Sequence, residues 1–264
     1  MTPERPLGER PLSARSIIAS TLLGMSTPAL AGNVLIHWTE LFGIAEGTTR
    51  VALSRMLAAG ELATDNGRYE LSGRLRDRQA IQMWSRTPRL TEWNGRWTLY
   101  IVEDGPRPAD VRRELRDAMS ALRAARIRDG VWVRPDNLPA DARPKHALEI
   151  ATQSCLVSQT ELTSLDAATA QRLWQTSQWQ EAAIDHLSRM STRLPALEAG
   201  NLSALAPTFE VAAHALTHIR RDPLLPSELL PAQWPGDELR ARYADFEAAF
   251  RAAWRTWYHD HANG

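Results

Sequence analysis

The chain has one cysteine, Cys155, in 264 residues. No intrachain disulfide can form and no thiolate metal site can be built within one copy, which fits a reducing cytoplasm. No stretch approaches the roughly 20 apolar residues that a membrane span needs. No Gly-rich phosphate loop and no Gly-x-Ser-x-Gly elbow occur, so neither common nucleotide site nor a hydrolase nucleophile is signalled. Excess charge is lacking too, because 31 basic and 31 acidic side chains cancel. The distribution is less even: residues 1–135 hold 20 basic and 15 acidic side chains, residues 136–264 hold 11 and 16. A front half of +5 suits phosphate contacts, although many enzymes carry such an asymmetry. Lysine is almost absent (Lys145 alone), so the positive charge is arginine.

What is present is concentrated in Leu35–Leu71, LIHWTELFGIAEGTTRVALSRMLAAGELATDNGRYEL. Leu35, Trp38, Leu41 and Phe42 recur at helical spacing, and Gly43 permits a turn. Ala52, Leu53, Met56 and Ala59 form the apolar face of a second helix, which Gly60 ends. Thr48, Thr49, Arg50, Ser54 and Arg55 fall between those core positions and are assigned to the opposite face. Asp65-Asn66-Gly67 then joins two short strands, Asn-Gly being a strong hairpin signal. Helix, turn, helix, hairpin predicts a winged helix-turn-helix that binds DNA. Thr48, Thr49, Arg50, Ser54 and Arg55 would face the major groove, where Arg grips guanine and Thr or Ser reaches bases or phosphates. Asn66, Gly67 and Arg68 of the wing would meet the backbone or minor groove. The bland alternative is a winged helix used only for protein contacts.

The rest of the chain predicts two further units. Residues 1–12 read as a frayed tail, and a first helix runs from about Ser13 to Met25 with Ser13 as N-cap. Arg10, Arg15, the apolar 17–25 stretch and Ala29-Leu30-Ala31 superficially mimic a secretory signal. The helix reading is preferred because Ile17, Ile18, Leu22 and Leu23 share one face. Pro28 and Gly32 mark a loop. Ser72–Trp84 is a further helix and 86–96 a linker. From Trp97, a strand at 98–102, a helix at 109–125 with Arg112, Arg113, Arg116 and Arg123 outward, a strand at 127–133 and a strand near 154–157 suggest a small ferredoxin-like sandwich. Beyond Asp166 the pattern is helical: Leu173–Met190, a loop bounded by Pro195 and Pro207, Phe209–Ile219, an extended Pro-punctuated segment 224–234, and a helix from about Gly236 to His259. The aromatic stripe Tyr243, Phe246, Phe250, Trp254 and Trp257 of that helix reads as core or dimer interface rather than a cofactor box. The fold class is therefore α+β multidomain, with boundaries at 12–85, 93–165 and 166–260.

With these segments assembled, the chain resembles the PaaX-like family, transcriptional repressors of phenylacetic acid degradation. The resemblance is carried by LFGIAEGTTRVALSRMLAAGEL, WNGRWTLYIVED, IRDGVWVRPDNL and RRDPLLPSELLPAQWPG. It implies a winged-helix reader, a central domain similar to the Cas2 fold, and a helical C-terminal domain. It also implies a homodimer that represses from double-stranded operator DNA and is released by an aryl- or acyl-coenzyme A thioester. This sequence departs from the family pattern at Thr49, where a small apolar residue is expected. Coenzyme A phosphates and adenine suit Arg and aromatic side chains, so Arg220, Arg221 and Trp234 are effector candidates, with His214 and His218 toward the acyl end. The bland reading is that segment 222–234 packs one domain on another.

His214-Ala-Leu-Thr-His218 has the spacing of a zinc-protease helix but lacks the general-base Glu. No cofactor, metal or catalytic residue is therefore assigned. The competing class is an enzyme, thioesterase or metal-dependent nuclease, carrying a vestigial winged helix. No nucleophile and base at a recognised spacing support it, Cys155 reads as an inert buried thiol, and Val102-Glu103-Asp104 places no Asp within the first central strand.

Overall fold

A computed structural model describes residues 12–24, 29–103 and 105–261, with only the backbone of residues 77, 80 and 81. Expectations for the tail, Met25, Pro28 and Asp104 lie outside it. The architecture is α+β, with helices and two small antiparallel sheets. Two compact units form: one from residues 1–82, 188–216 and 242–264, the other from 83–187 and 217–241.

The first unit opens with α1 (Ala14–Gly24), whose cap is Ser13: its hydroxyl accepts from the Ser16 N–H at 3.2 Å. A three-residue strand, β1 (Ala29–Ala31), leads into α2 (Gly32–Glu40) and α3 (Glu46–Ala58). The hairpin β2 (Leu62–Asp65) and β3 (Arg68–Leu71) follows, and β1 pairs with β3 to make the sheet three-stranded. Three residues are too few to leave an alternation signal, so β1 was predicted as loop. Asn66 and Gly67 hold φ of 48° and 73°, the left-handed pair that a two-residue hairpin turn needs. Helix α1 is pinned by Arg15, whose guanidinium grips both carboxylate oxygens of Glu61 and holds that carboxyl below the usual carboxylate range.

Trp38 is the hub of this unit. It is fully buried, and edge-on aromatic contacts reach it from Phe42, Phe209, Phe250, Trp254 and Trp257. Its indole N–H donates to Thr21 at 2.8 Å, and the Thr21 hydroxyl donates on to the Ile17 carbonyl. The aromatic stripe of α10 (Gly236–His261) thus forms core around the helix that backs α3. Leu41, predicted to share the buried face, is 42% exposed, because α2 ends at Glu40 and Leu41 begins the turn.

The second unit is built on β4 (Arg96–Val102), α5 (Ala109–Ala121), β5 (Ala125–Arg128), β6 (Val131–Pro135), α6 (Lys145–Ser154) and β7 (Cys155–Glu161). The strand order β5-β6-β4-β7 with this βαββαβ succession is ferredoxin-like. One face carries Tyr100, Leu115, Met119, Leu122 and Ala151; the other carries Trp97, Val133, Leu165, Leu225 and Leu229. Helix α6 occupies residues for which no helix was predicted, since Ala147 and Ala151 bury a face too small to read as a stripe. Cys155 is buried, which pushes its thiol pKa up.

The remaining helices are α4 (Gly73–Arg86), α7 (Ala167–Leu173), α8 (Thr176–Glu198) and α9 (Leu205–Ile219). Asp166 caps α7 by accepting from the Thr169 N–H at 2.8 Å. The predicted Leu173–Met190 helix is instead broken at Gln175, whose φ is 51°. The loop predicted between Pro195 and Pro207 shrinks to a few residues: Pro195 lies inside α8 and Pro207 near the start of α9, where its missing N–H has no helical partner to lose.

Candidate nucleic-acid interface

Helix α3 is fastened to its unit by one seam, Thr49, Leu53 and Met56. The spacing of four and three residues puts these on one side. Thr49 corrects the prediction, which assigned it to the groove face. It is fully buried, and its hydroxyl meets that of Thr39 at 2.6 Å. The Thr39 hydroxyl donates to the Ile36 carbonyl at 2.9 Å, so it can accept from Thr49 and give that buried hydroxyl a partner.

Thr48, Arg50, Ser54 and Arg55 are exposed, as predicted. Arg50 reaches back one turn to Glu46, with Nε–Oε1 at 2.7 Å and a second contact at 2.6 Å. Both partners are more than half exposed, so water screens the pair and it contributes little to the fold. Arg50 can therefore exchange Glu46 for a phosphate or a guanine edge. Val51, which the sequence reading passed over, is 50% exposed among these polar residues.

On the wing, Asn66, Gly67 and Arg68 are exposed. Arg68 is tethered: its Nη2 donates to the Ala29 carbonyl at 2.7 Å and so ties the turn to β1. The Gly67 carbonyl accepts from the Gly32 N–H at 3.1 Å, which fixes the wing against the start of α2.

The effector candidates fall in both units. His214 belongs to the first unit, whereas His218, Arg220, Arg221 and Trp234 belong to the second. There, Trp179 is sandwiched between His218 and Trp234, each ring centroid 4.4 Å away and nearly parallel. The His218 Nε2 lies 2.9 Å from the Trp179 carbonyl, making it a satisfied, half-buried helix histidine. Burial pulls its pKa below the ordinary value, against the Trp179 carbonyl and Asp222. The unfolded chain then takes up a proton near pH 6.5 that the folded chain refuses. The stability contributed by neutral His218 is present above about pH 6.5 and is lost as pH falls toward the folded value. His218→Gln is expected to flatten the fall in melting temperature between pH 7 and pH 5 relative to wild type; an equal slope contradicts this.

Arg123 and Arg134 form a feature that periodicity missed. Arg123 was assigned to the outer face of α5, but it adopts φ of 58° just past the helix and turns inward. It donates to the carbonyls of Arg220 (3.0 Å) and Asp222. Arg134 donates to the carbonyls of Pro223 and, at 2.6 Å, Leu224, and to Asn137 Oδ1 at 2.9 Å. Asp222 accepts from Arg240 Nη2 at 2.6 Å and from the Leu224 N–H at 2.8 Å. This clamp holds Leu224 at φ of 51° and explains the conspicuous RRDPLL segment. A Cβ on Gly236 would stand 2.6 Å from the Trp234 indole nitrogen and 3.0 Å from Asp222 Oδ2, so the Trp-Pro-Gly turn admits only glycine.

Beside the clamp is a cleft of about 630 Å³ whose walls include Leu90, Trp93, Asn137, Leu225, Leu230 and Trp234. Of the effector candidates, only Trp234 lines it. Its charged walls are Glu92, Asp222, Glu228 and Asp237 against Arg86 and Arg240. Among the described residues, no group of three His, Cys, Asp or Glu is placed to hold a metal, and no helix is long and apolar enough to cross a membrane.

Three segments match the PaaX-like family in order: residues 13–75 its N-terminal part, 90–172 its central Cas2-like domain and 175–260 its C-terminal domain. The chain belongs to the PaaX-like family. Membership supports a transcription regulator of repressor type rather than an enzyme, and it suggests DNA binding. The PaaX-like fold is shared with a solved structure of an uncharacterized protein from Mycobacterium tuberculosis. That structure is 37% identical, with a TM-score of 0.68 over 91% of this chain and 97% of the other. No match was found among curated proteins.

Proposed function

We propose that this PaaX-like chain is a homodimeric repressor of an aromatic-acid, phenylacetate-type, catabolic operon. Two copies place Thr48, Arg50, Ser54 and Arg55 of α3 in major grooves, with Asn66, Gly67 and Arg68 of the wing beside the adjacent backbone. The observation that carries this reading is α3 itself. One seam fastens the helix, and its remaining surface presents guanidiniums and hydroxyls that, among the described residues, are held by no more than a solvent-screened ion pair. Selection from a random duplex pool by the intact protein is expected to yield an inverted repeat, its half-sites one helical turn or a multiple apart. Failure to enrich any duplex contradicts the reading.

An aryl- or acyl-coenzyme A thioester is the proposed effector, and it favours a state whose half-site spacing no longer fits. The cleft beside Trp234 supports the acyl part of this reading: its aromatic and aliphatic walls suit an aryl-acyl end, and its carboxylates do not suit phosphates. Phenylacetyl-coenzyme A at 100 times its dissociation constant adds about 2.7 kcal/mol to the native state, a shift of several degrees in melting temperature. Free coenzyme A should give less. No shift with any thioester removes the effector and leaves the DNA reading standing.

A further inference from the structure

We infer that Val51 reads a thymine methyl group from the centre of α3, an inference that rests on the DNA reading of that helix. At 100° per residue, Val51 lies about half a turn from the Thr49–Leu53–Met56 seam, so its side chain is aimed almost directly outward. It is 50% exposed. Along the same outward line stand Gly47, Ser54 and Ala58, all exposed, with Thr48 and Arg55 on one flank and Arg50 on the other. A Cβ on Gly47 would meet nothing within 4 Å, so its bareness serves no packing within the chain.

The outer ridge is thus made of small groups, with one branched apolar side chain at its middle and cations beside it. Nothing in the fold asks for valine there. It buries little, and a β-branched residue lowers helix propensity relative to alanine or a long polar residue. The small ridge lets the helix backbone come close to a surface, and the flanking Arg50 and Arg55 make that surface anionic. In a duplex major groove the one apolar feature on a base edge is the C5-methyl of thymine, and apolar side chains contact it. Val51 at the apex suits that methyl, with the hydroxyls and guanidiniums around it free to bond neighbouring edges and phosphates.

The test uses the full-length protein and a duplex obtained by selection. Each thymidine is replaced in turn by deoxyuridine, which removes only the methyl group. One position per half-site should weaken wild-type binding about fourfold, the burial value of one methyl, and the doubly substituted duplex roughly 15-fold. Val51→Ala should bind the thymidine duplex more weakly while showing no penalty for deoxyuridine at that position. Its melting temperature should stay at or above wild type, which separates reading from folding. The inference is overturned if no deoxyuridine position weakens wild type, or if the penalty persists in Val51→Ala. Sequence-selective binding with no methyl dependence leaves the DNA reading intact and refutes only the role of Val51. Absence of any bound duplex refutes both.

Discussion

Trp38→Ala is expected to lower stability by about 3–5 kcal/mol, the range for emptying a large buried aromatic. The reason is the number of partners that lose their packing together. Trp38 is fully buried, and Phe42, Phe209, Phe250, Trp254 and Trp257 all present ring contacts to it, the nearest at 4.4 Å. Those rings come from three segments far apart in sequence, so they cannot all collapse into the space left behind. The Thr21 hydroxyl also loses the indole N–H, although it keeps its own donation to the Ile17 carbonyl. Trp38→Phe should cost less, because it retains a ring and loses mainly that donor. Thermal unfolding should place Trp38→Ala roughly 10 °C or more below wild type. DNA binding should weaken only where the variant is unfolded, because Trp38 backs α3 without belonging to its outer face. A drop of under 2 °C contradicts Trp38 as the hub.

Arg134→Met is expected to destabilise the second unit by about 3 kcal/mol, although it removes a costly buried charge. Burial lowers the Arg134 pKa to about 9 and that of Arg123 to about 10, with Arg123 itself adding to the effect on Arg134. Both guanidiniums nevertheless remain charged at neutral pH. Replacing a buried ion pair with a well-packed apolar side chain is often neutral or stabilising. The difference here is that most partners of Arg134 are main-chain carbonyls, among them those of Pro223 and Leu224, which stay behind when it is removed. An abandoned buried acceptor costs about 1–3 kcal/mol. Asn137 Nδ2 still reaches the Leu224 carbonyl at 3.0 Å, so that carbonyl is only partly deserted. Arg134→Lys keeps the charge but lacks the two-pronged geometry and should recover part of the loss. Denaturant unfolding followed by tryptophan fluorescence reads the effect. Arg134→Met at or above wild-type stability contradicts the clamp.

The sequence announced most of the first unit because its signals are local. Ser13 caps α1, Asn66-Gly67 turns the hairpin, and the Leu53–Met56 spacing faces α3 inward, each within a few residues. Thr49 was misplaced because a threonine reads as polar from composition, whereas its hydroxyl is satisfied by Thr39, ten residues away. Val51 drew no assignment, and its exposure and its angle from the Thr49–Leu53–Met56 seam show it facing outward. In the second unit, Arg123 and Arg134 bond to carbonyls roughly 90 to 100 residues further along. No periodicity reports such a contact. The RRDPLL and Trp-Pro-Gly segments were visible as unusual strings, but their purpose emerges only when Arg134, Asn137 and Trp234 are seen around them. Of the effector candidates, Trp234 lines the cleft beside the clamp, a placement that local spacing does not report.

The central claim is that the outer face of α3 binds DNA, and Arg50→Ala/Arg55→Ala tests it most directly. The ion pair between Arg50 and Glu46 is solvent-exposed, so the substitutions should leave the melting temperature unchanged. Fluorescence anisotropy with the selected duplex at fixed salt should show affinity reduced on the order of 100-fold, as expected for two arginine contacts worth about 1–3 kcal/mol each. The slope of log affinity against log salt should fall by about one for each contact that is to a phosphate. A parallel Arg112→Ala/Arg113→Ala variant on the exposed face of α5 should bind as wild type does. A folded Arg50→Ala/Arg55→Ala protein that binds the duplex with wild-type affinity and salt dependence contradicts the account.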